Sequence, residues 1–295
     1  MPLTLLPGPL LGERTTLRLG GRAQAEIIAE SGKDLDGLPK ILEKLGARPL
    51  VLGRGSNILA RDGDLPVALL RPPKGRPPRV VLERKGVVRV RAGAGLSLQR
   101  LLGRLRTWGL SGLEGLTGIP GSVGGAVAMN AGAYACETGQ VLARVLVYGP
   151  KTGIAWLERD DVRVGYRFFA PKREEEYFMV LAAEFDLKKH APDWVKNRMA
   201  EVYAKKKKTQ PLRAASAGCV FKNPEAGPPA GKLLEEAGFK GKRLGAMAFS
   251  GVHANFLVNL GGGKSAEAFE LIEAAGEKVA SLFGQKLELE VRVCP

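Results

Sequence analysis

Six glycines, Gly115, Gly118, Gly121, Gly124, Gly125 and Gly132, crowd the stretch from Gly115 to Glu137, GLTGIPGSVGGAVAMNAGAYACE. Each one gives up side-chain burial and costs backbone entropy, so no ordinary core helix or strand would carry them. Such density suits backbone amides that must approach a ligand closely. Successive N–H groups in tight turns form concavities that hold an anion such as a pyrophosphate. The plainer alternative is a flexible surface loop. Against it, Ile119, Val123, Val127, Met129 and Tyr134 interleave with the glycines and demand packing. A second turn of this kind is Leu52-Gly53-Arg54-Gly55-Ser56-Asn57-Ile58-Leu59, a strand running into a Gly-rich loop. One G-x-G is weak evidence; two such turns with apolar flanks are stronger.

Four groups of side chains could do chemistry. Arg167 follows Tyr166 in the polar loop 165–172, and reads either as a fixed cation or as a surface ion pair. Cys219 reads as a small buried hydrophobe or as a reactive thiol. Gly218 before it and Lys222-Asn223 after it place it at the lip of a polar loop. Glu288 and Glu290 alternate with Leu287, Leu289 and Val291, so both face one side of a strand, which is a solvated face or an acidic one. His253 and Asn255, beside Phe256 and Val258, are satisfied core polar groups or ligands.

The whole chain bounds these options. Its 295 residues allow a large core and two or three domains, and 45% hydrophobic with 25% charged content is that of a globular protein. No apolar run approaches the length of a membrane span, and MPLTLLPGPLLGERTT has no basic leader or signal-length apolar core, so the expected location is cytoplasmic. The three cysteines, Cys136, Cys219 and Cys294, lie far apart, and there are only two histidines, so no metal site is expected. The net charge of +15 fits nucleic acid, anionic small ligands or a charge-rich surface. The basic residues are scattered rather than grouped with aromatics, which argues against nucleic acid. Only Lys205 to Lys208 form a run, and it closes a helical stretch, where cations suit the helix dipole.

The elements that must position these residues follow from periodicity. Strands are expected at 23–30, 50–52, 67–71, 79–84, 86–92, 140–149, 153–158, 177–187, near 243–249 and 255–260, and at 287–293. Helices are expected at 34–45, 97–108, 193–208, 230–237 and 265–283. Ser265 is the expected cap of the last helix, and Phe269, Ile272, Val279 and Leu282 its core face. The Pro/Arg stretch 71–79 reads as a linker or wide loop. The layout is two mixed α+β lobes ahead of a compact C-terminal α+β domain.

In their order along the chain these motifs resemble the UDP-N-acetylenolpyruvoylglucosamine reductase family in its shorter, type II form. The resemblance spans almost the whole length. It is carried by Thr15 to Gly21, Leu52 to Leu59, Ala92 to Gly95, Gly112 to Glu114, Gly118 to Gly125 and Met129 to Tyr134. It continues through Tyr166-Arg167, Gln210-Pro211, Ala217 to Pro224, His253 to Phe256 and Leu287 to Val291. The implied fold is α+β, a two-lobed FAD-binding region of the vanillyl-alcohol-oxidase (PCMH) type plus a C-terminal α+β substrate-binding domain. The expected division is 1–72, 73–190 and 191–295.

That family uses non-covalent FAD, reduced by NADPH, to reduce the enolpyruvyl group of a UDP-sugar. The partners implied are the UDP-sugar and NADPH, with no nucleic acid and no membrane. Carried onto this sequence, the catalytic residues are Arg167, Cys219 and Glu290, with Cys219 where the family normally has Ser. Cofactor-binding residues are Gly53, Arg54, Gly55, Ser56, Asn57 and Ile58; Gly118, Ile119, Pro120, Gly121, Ser122, Gly124 and Gly125; and Asn130, Ala131 and Gly132. Substrate contacts fall to Tyr166, Gln210, Lys222, Asn223, His253 and Asn255. The family's Tyr-Arg-x-Ser becomes Tyr166-Arg167-Phe168-Phe169, so any role of that Ser is absent. Another FAD-dependent oxidase or dehydrogenase on the same scaffold is the alternative. No His in the Gly-rich segments is placed for the covalent flavin link common there.

Overall fold

The computed structural model describes residues 3–295. The chain divides into two compact units that do not follow chain order. Unit 1 holds the described residues up to Pro7, then Ala25–Arg54 and Val67–Lys205; unit 2 holds Gly8–Gln24, Gly55–Pro66 and Lys206–Pro295.

Unit 1 is built on two sheets. The smaller has the order Thr4–Pro7, Arg22–Ile28, Asp64–Arg71, Arg48–Val51, with Arg48–Val51 parallel to its neighbour. Ile27, Ala68 and Leu70 meet Leu35, Leu38 and Leu42 in its core. The helix expected at 34–45 is a 3-10 turn, Gly32–Gly37, followed by an α-helix, Leu38–Leu45. Pro39 has no N–H to donate back into the preceding turn, so the α-helical ladder starts only after it.

The larger sheet is antiparallel, ordered Gly153–Glu158, Leu142–Gly149, Met179–Lys189, Val87–Gly93, Arg79–Arg84, with Leu110–Ser111 added to the end of Met179–Lys189. Helices Leu98–Trp108 and Val123–Ala128 cover it, and Leu98, Leu101, Leu102, Leu105, Val123 and Val127 enter its core. Ser97 caps the first of these by accepting from Arg100 N. The Pro/Arg stretch 71–79 has no regular structure, yet it is no loose linker. Its backbone packs on the turn 93–96 so closely that a Cβ at Gly75 would overlap Leu96 and one at Gly95 would overlap Pro73 O.

One carboxylate organises the large sheet. Glu184 is fully buried and lies between its cross-strand partners Arg91 and Arg144. Arg91 Nε donates to Oε1 at 2.6 Å and Arg144 Nε to Oε2 at 2.8 Å. Both guanidinium groups also lie over the Trp156 ring, at 4.8 and 4.6 Å. Burial alone would raise the Glu184 pKa, but the hydrogen bonds from Arg144 and Arg91 outweigh it and hold it below the ordinary range.

Unit 2 carries a four-stranded antiparallel sheet, ordered Ala215–Cys219, Phe256–Asn259, Met247–Phe249, Arg243–Leu244. Helices Ala230–Glu236 and Ser265–Phe283 pack on it through Leu233, Leu234, Ala268, Leu271, Ile272, Ala275 and Val279. Leu17, Leu19 and Leu59, from the early segments of the chain, share this core. Ser265 is not the cap. Lys264 holds that position, and Ser265 Oγ instead accepts from Asp62 N while its own amide donates to Asp62 Oδ2, both at 2.8 Å. Leu282 is 50% exposed, so the apolar face ends at Val279.

The expected strand 287–293 changes partner midway. Lys222 N donates to Glu288 O and Glu290 N to Val220 O, and then Arg292–Cys294 pairs in parallel with Ile58–Ala60. Burial pushes the Cys294 thiol up to about 11, so it stays protonated and inert. Among the described residues no helix is long and apolar enough to cross a membrane.

Removing the Glu184 charge leaves two arginines over a buried site. Glu184→Gln should cost about 3 kcal/mol at neutral pH, measured by urea unfolding. Because the folded pKa is depressed, the wild-type contribution is complete above the ordinary value of 4.5 and disappears as pH falls through the lower folded value. The variant should therefore lack that acid-side decline.

Candidate active site

The Gly-rich turns of unit 1 are held against each other by backbone-scale contacts. A Cβ at Gly53 would overlap the Ser122 hydroxyl, and one at Gly124 would come within 2.8 Å of Ala94 Cβ. Ser122 is itself fixed: its hydroxyl caps helix Val123–Ala128 by accepting from Gly125 N. Gly121 O accepts from Leu98 N, and Val123 N and Gly124 N donate to Leu96 O and Ala94 O. Gly118 adopts φ +84, and Ile119 N donates back to Leu116 O, so 118–121, with Pro120, forms a tight rather than a mobile loop.

The amides of this region matter more than its side chains. Among the described residues, the N–H groups of Gly53, Arg54, Gly118 and Gly121 have no acceptor in the chain. Amides without an internal partner need water or a ligand. In unit 2 the amides of Gly55 and Ser56 are in the same state. Gly55 has φ +63, and a Cβ there would collide with Arg14 O and Thr15 Cα, so the position admits glycine alone. Within each unit these donors, neutral and held by the local backbone, are of the kind a diphosphate needs. Asn57 plays another part, donating its side-chain amide to Glu290 O at 3.0 Å. Ile58 is buried at the start of strand Ile58–Ala60.

Asn130 is the hub of a second part of unit 1. Its Nδ2 donates to Glu137 Oε2 at 2.9 Å and Gly165 O at 2.8 Å, and its Oδ1 accepts from Gly139 N at 2.8 Å. It thereby joins hairpin 132–137, which follows Ala131, to hairpin Val162–Pro171. Arg167 reinforces the junction, with Nη2 donating to Gly132 O at 3.0 Å and its guanidinium 4.8 Å from the Tyr166 ring centre. Asn130, Tyr134, Ala135 and Arg167 all have positive φ, four of the six non-glycine residues that do among the described residues. Strain of this kind, about 1–3 kcal/mol each, concentrates where function holds it. Phe169, where the family has Ser, turns inward and packs on Phe178.

In unit 2, Cys219 and Glu290 share one piece of backbone. Gly218 has φ +80, the pairing register shifts between Ser216 and Cys219, and the chain emerges at Val220. Val220 O accepts from Glu290 N at 2.8 Å, and Val220 N donates to Asn255 O at 2.8 Å. Asn255 is 2% exposed and has both ends of its amide engaged: Oδ1 accepts from Phe221 N and Nδ2 donates to Phe221 O. It is the brace of the Cys219 loop. His253 Nδ1 accepts from Asn255 N, and burial pushes the imidazole pKa down, so the ring is neutral with its other nitrogen protonated.

Lys222 pairs with Glu288 at 3.2 Å, and Asn223 Oδ1 accepts from Ala230 N. Gln210 closes helix Pro192–Thr209, its amide bonded to Lys206 O. Sequence reasoning missed Thr16, whose hydroxyl donates to Ser216 O at 2.6 Å just before the bulge. Its motif was visible, but a lone threonine names no partner.

Residues 210–294 match the family model for the C-terminal domain of UDP-N-acetylenolpyruvoylglucosamine reductase, and residues 23–151 match that of an FAD binding domain. The UDP-N-acetylenolpyruvoylglucosamine reductase of Nitratidesulfovibrio vulgaris is 52% identical over 291 residues, covering 99% of this chain and 98% of its own. This chain belongs to that family. The Oleidesulfovibrio alaskensis enzyme is 48% identical over 297 residues, covering 100% and 99% of the two chains. The crystal structure of the reductase from Thermus caldophilus superposes with a TM-score of 0.80 at 34% identity, covering 99% of this chain and 100% of that one.

The fold class is the expected one, an FAD-binding region with a C-terminal α+β domain, and FAD is the cofactor. The unpartnered amides of the Gly-rich turns fit its diphosphate. Gly55→Ala meets both a left-handed backbone and a backbone clash. Purified G55A should retain wild-type circular dichroism and bind FAD at least tenfold more weakly, about 1.4 kcal/mol, in a flavin-fluorescence titration.

Proposed function

We propose that this chain reduces UDP-N-acetylglucosamine enolpyruvate to UDP-N-acetylmuramate with electrons from NADPH, in the cytoplasmic synthesis of peptidoglycan precursors. The family membership supports the reaction class, and the observation that carries the roles is the backbone shared by Cys219 and Glu290 through Val220. FAD, held by the Gly-rich turns, would supply the redox chemistry, a hydride relay from NADPH to the enolpyruvyl group.

The remaining chemistry belongs to this chain. Hydride addition at the methylene carbon leaves negative charge on the α carbon and its carboxylate. Arg167, a fixed cation, stabilises that charge, and the Glu290 carboxyl assists by hydrogen bonding. The Cys219 thiol then donates its proton to the α carbon, completing the C–H bond. The resulting thiolate recovers a proton from solvent. A thiol is more acidic than the serine hydroxyl usual in the family, so the replacement keeps a competent donor. Tyr166, Gln210, Lys222, Asn223, His253 and Asn255 are assigned to the sugar nucleotide, 191–295 to substrate binding, and Gly118–Ser122, Gly124, Gly125 and Asn130–Gly132 to the flavin together with Gly53–Ile58.

Anaerobic stopped-flow absorbance separates the two half-reactions. In Cys219→Ala, NADPH should bleach the flavin band as in wild type. Recovery of the band on adding the enolpyruvyl substrate should slow by roughly 10²–10⁴-fold, the usual contribution of a positioned acid. Cys219→Ser should keep substantial activity. Recovery at the wild-type rate in Cys219→Ala would remove the thiol from the mechanism.

A further inference from the structure

We infer that Arg71 is a positioning residue for the cofactor, acting through the backbone of the first Gly-rich turn. This rests on the reading that the turn holds the FAD diphosphate. Arg71 ends strand Asp64–Arg71. One of its guanidinium nitrogens, Nη1, donates to two consecutive carbonyls, Leu52 O at 3.2 Å and Gly53 O at 2.6 Å. Its Nε lies 3.3 Å from Oε1 of Glu26, a carboxylate that is itself buried. All of these atoms belong to unit 1.

Peptide geometry turns those two hydrogen bonds into an orientation. In a trans peptide unit the C=O and N–H point in opposite directions across one rigid plane. Leu52 O shares its plane with Gly53 N–H, and Gly53 O shares its plane with Arg54 N–H. In an extended strand successive carbonyls point to opposite sides, so successive amides cannot converge. Drawing both carbonyls onto one guanidinium swings both N–H groups to the opposite side. These are two of the amides that have no acceptor among the described residues. Two adjacent N–H groups facing one way form an anion nest.

Arg71 therefore never needs to touch the ligand. Its positive charge is neutralised by Glu26, and its effect is conveyed by the direction of two peptide planes. Glu26 in turn fixes the guanidinium, because an ion pair with a buried carboxylate holds the fork in one rotamer. Only arginine has the planar donors to reach a carboxylate and two carbonyls at once.

The test compares ligands with and without the diphosphate on the deflavinated full-length chain. FAD and riboflavin are titrated against wild type, Arg71→Gln, Arg71→Lys and Glu26→Gln by flavin fluorescence. Hydrogen bonds to a charged group are worth enough that losing the nest should weaken FAD binding roughly 10–100-fold in Arg71→Gln. Riboflavin, which has no phosphate, should bind all four proteins within about twofold of one another. Arg71→Lys and Glu26→Gln should fall between, and they serve if Arg71→Gln does not fold. Unchanged FAD affinity would overturn the inference, as would equal weakening of both ligands, which is the signature of a merely structural residue. If wild type itself fails to prefer FAD over riboflavin, the diphosphate reading of the turn is wrong, and Arg71 has no anion to serve.

Discussion

Backbone amides that find no acceptor among the described residues are the constraint on which this protein is built. Leaving an N–H unsatisfied costs free energy unless water or a ligand takes it, so a fold keeps such groups only where something else enforces them. Here the enforcement is visible at several levels. Glycine removes the Cβ that would overlap neighbouring atoms of the chain at 53 and 124 in unit 1 and at 55 in unit 2. Ser122 fixes the start of a short helix. Arg71 draws two carbonyls inward so that their amides face out. Close approach and outward amides are two sides of one requirement, and neither survives an ordinary side chain at these positions.

The surrounding architecture serves rigidity. In unit 1 the buried Glu184 and its two half-buried partners, Arg91 and Arg144, tie three adjacent strands of the large sheet, with Trp156 stacked on both arginines. An ion pair so placed is a poor source of net stability compared with apolar packing, but it defines strand register, because a slip of one residue would strand a charge in the core. In the same unit Asn130 joins two hairpins whose tips carry left-handed, non-glycine backbone. In unit 2 Asn255 braces the loop of Cys219 through both backbone groups of Phe221. Buried asparagines recur at these points because one planar amide satisfies a donor and an acceptor of a neighbouring strand that has lost its own partner.

Much of this was legible in the residues. Most strands and helices followed from period and composition, and the Gly-rich stretch announced itself by its density, although Val123–Ala128 within it is a short helix packed on the core and the polar loop 165–172 holds the strand Phe168–Pro171. The errors were local and physical. Pro39 delayed a helix that its apolar pattern seemed to begin earlier. Ser265 looked like a cap, but a tertiary partner, Asp62, claimed its hydroxyl. The C-terminal segment read as one strand because alternation reports faces and says nothing of partners, and here the partner changes between Glu290 and Arg292.

The sequence by itself determined the family, the cofactor, and which residue types are available for chemistry. Those depend on the order of motifs along the chain and on side-chain identity. Only the tertiary structure decided which partners those residues hold. It placed residues 8–24 and 55–66 with the C-terminal unit, gave Asn255 a structural task, and revealed Glu26 and Arg71 behind the first turn. The reason is that a hydrogen bond depends on direction, and direction comes from peptide planes set by residues distant in the chain. No pattern read along one dimension contains it.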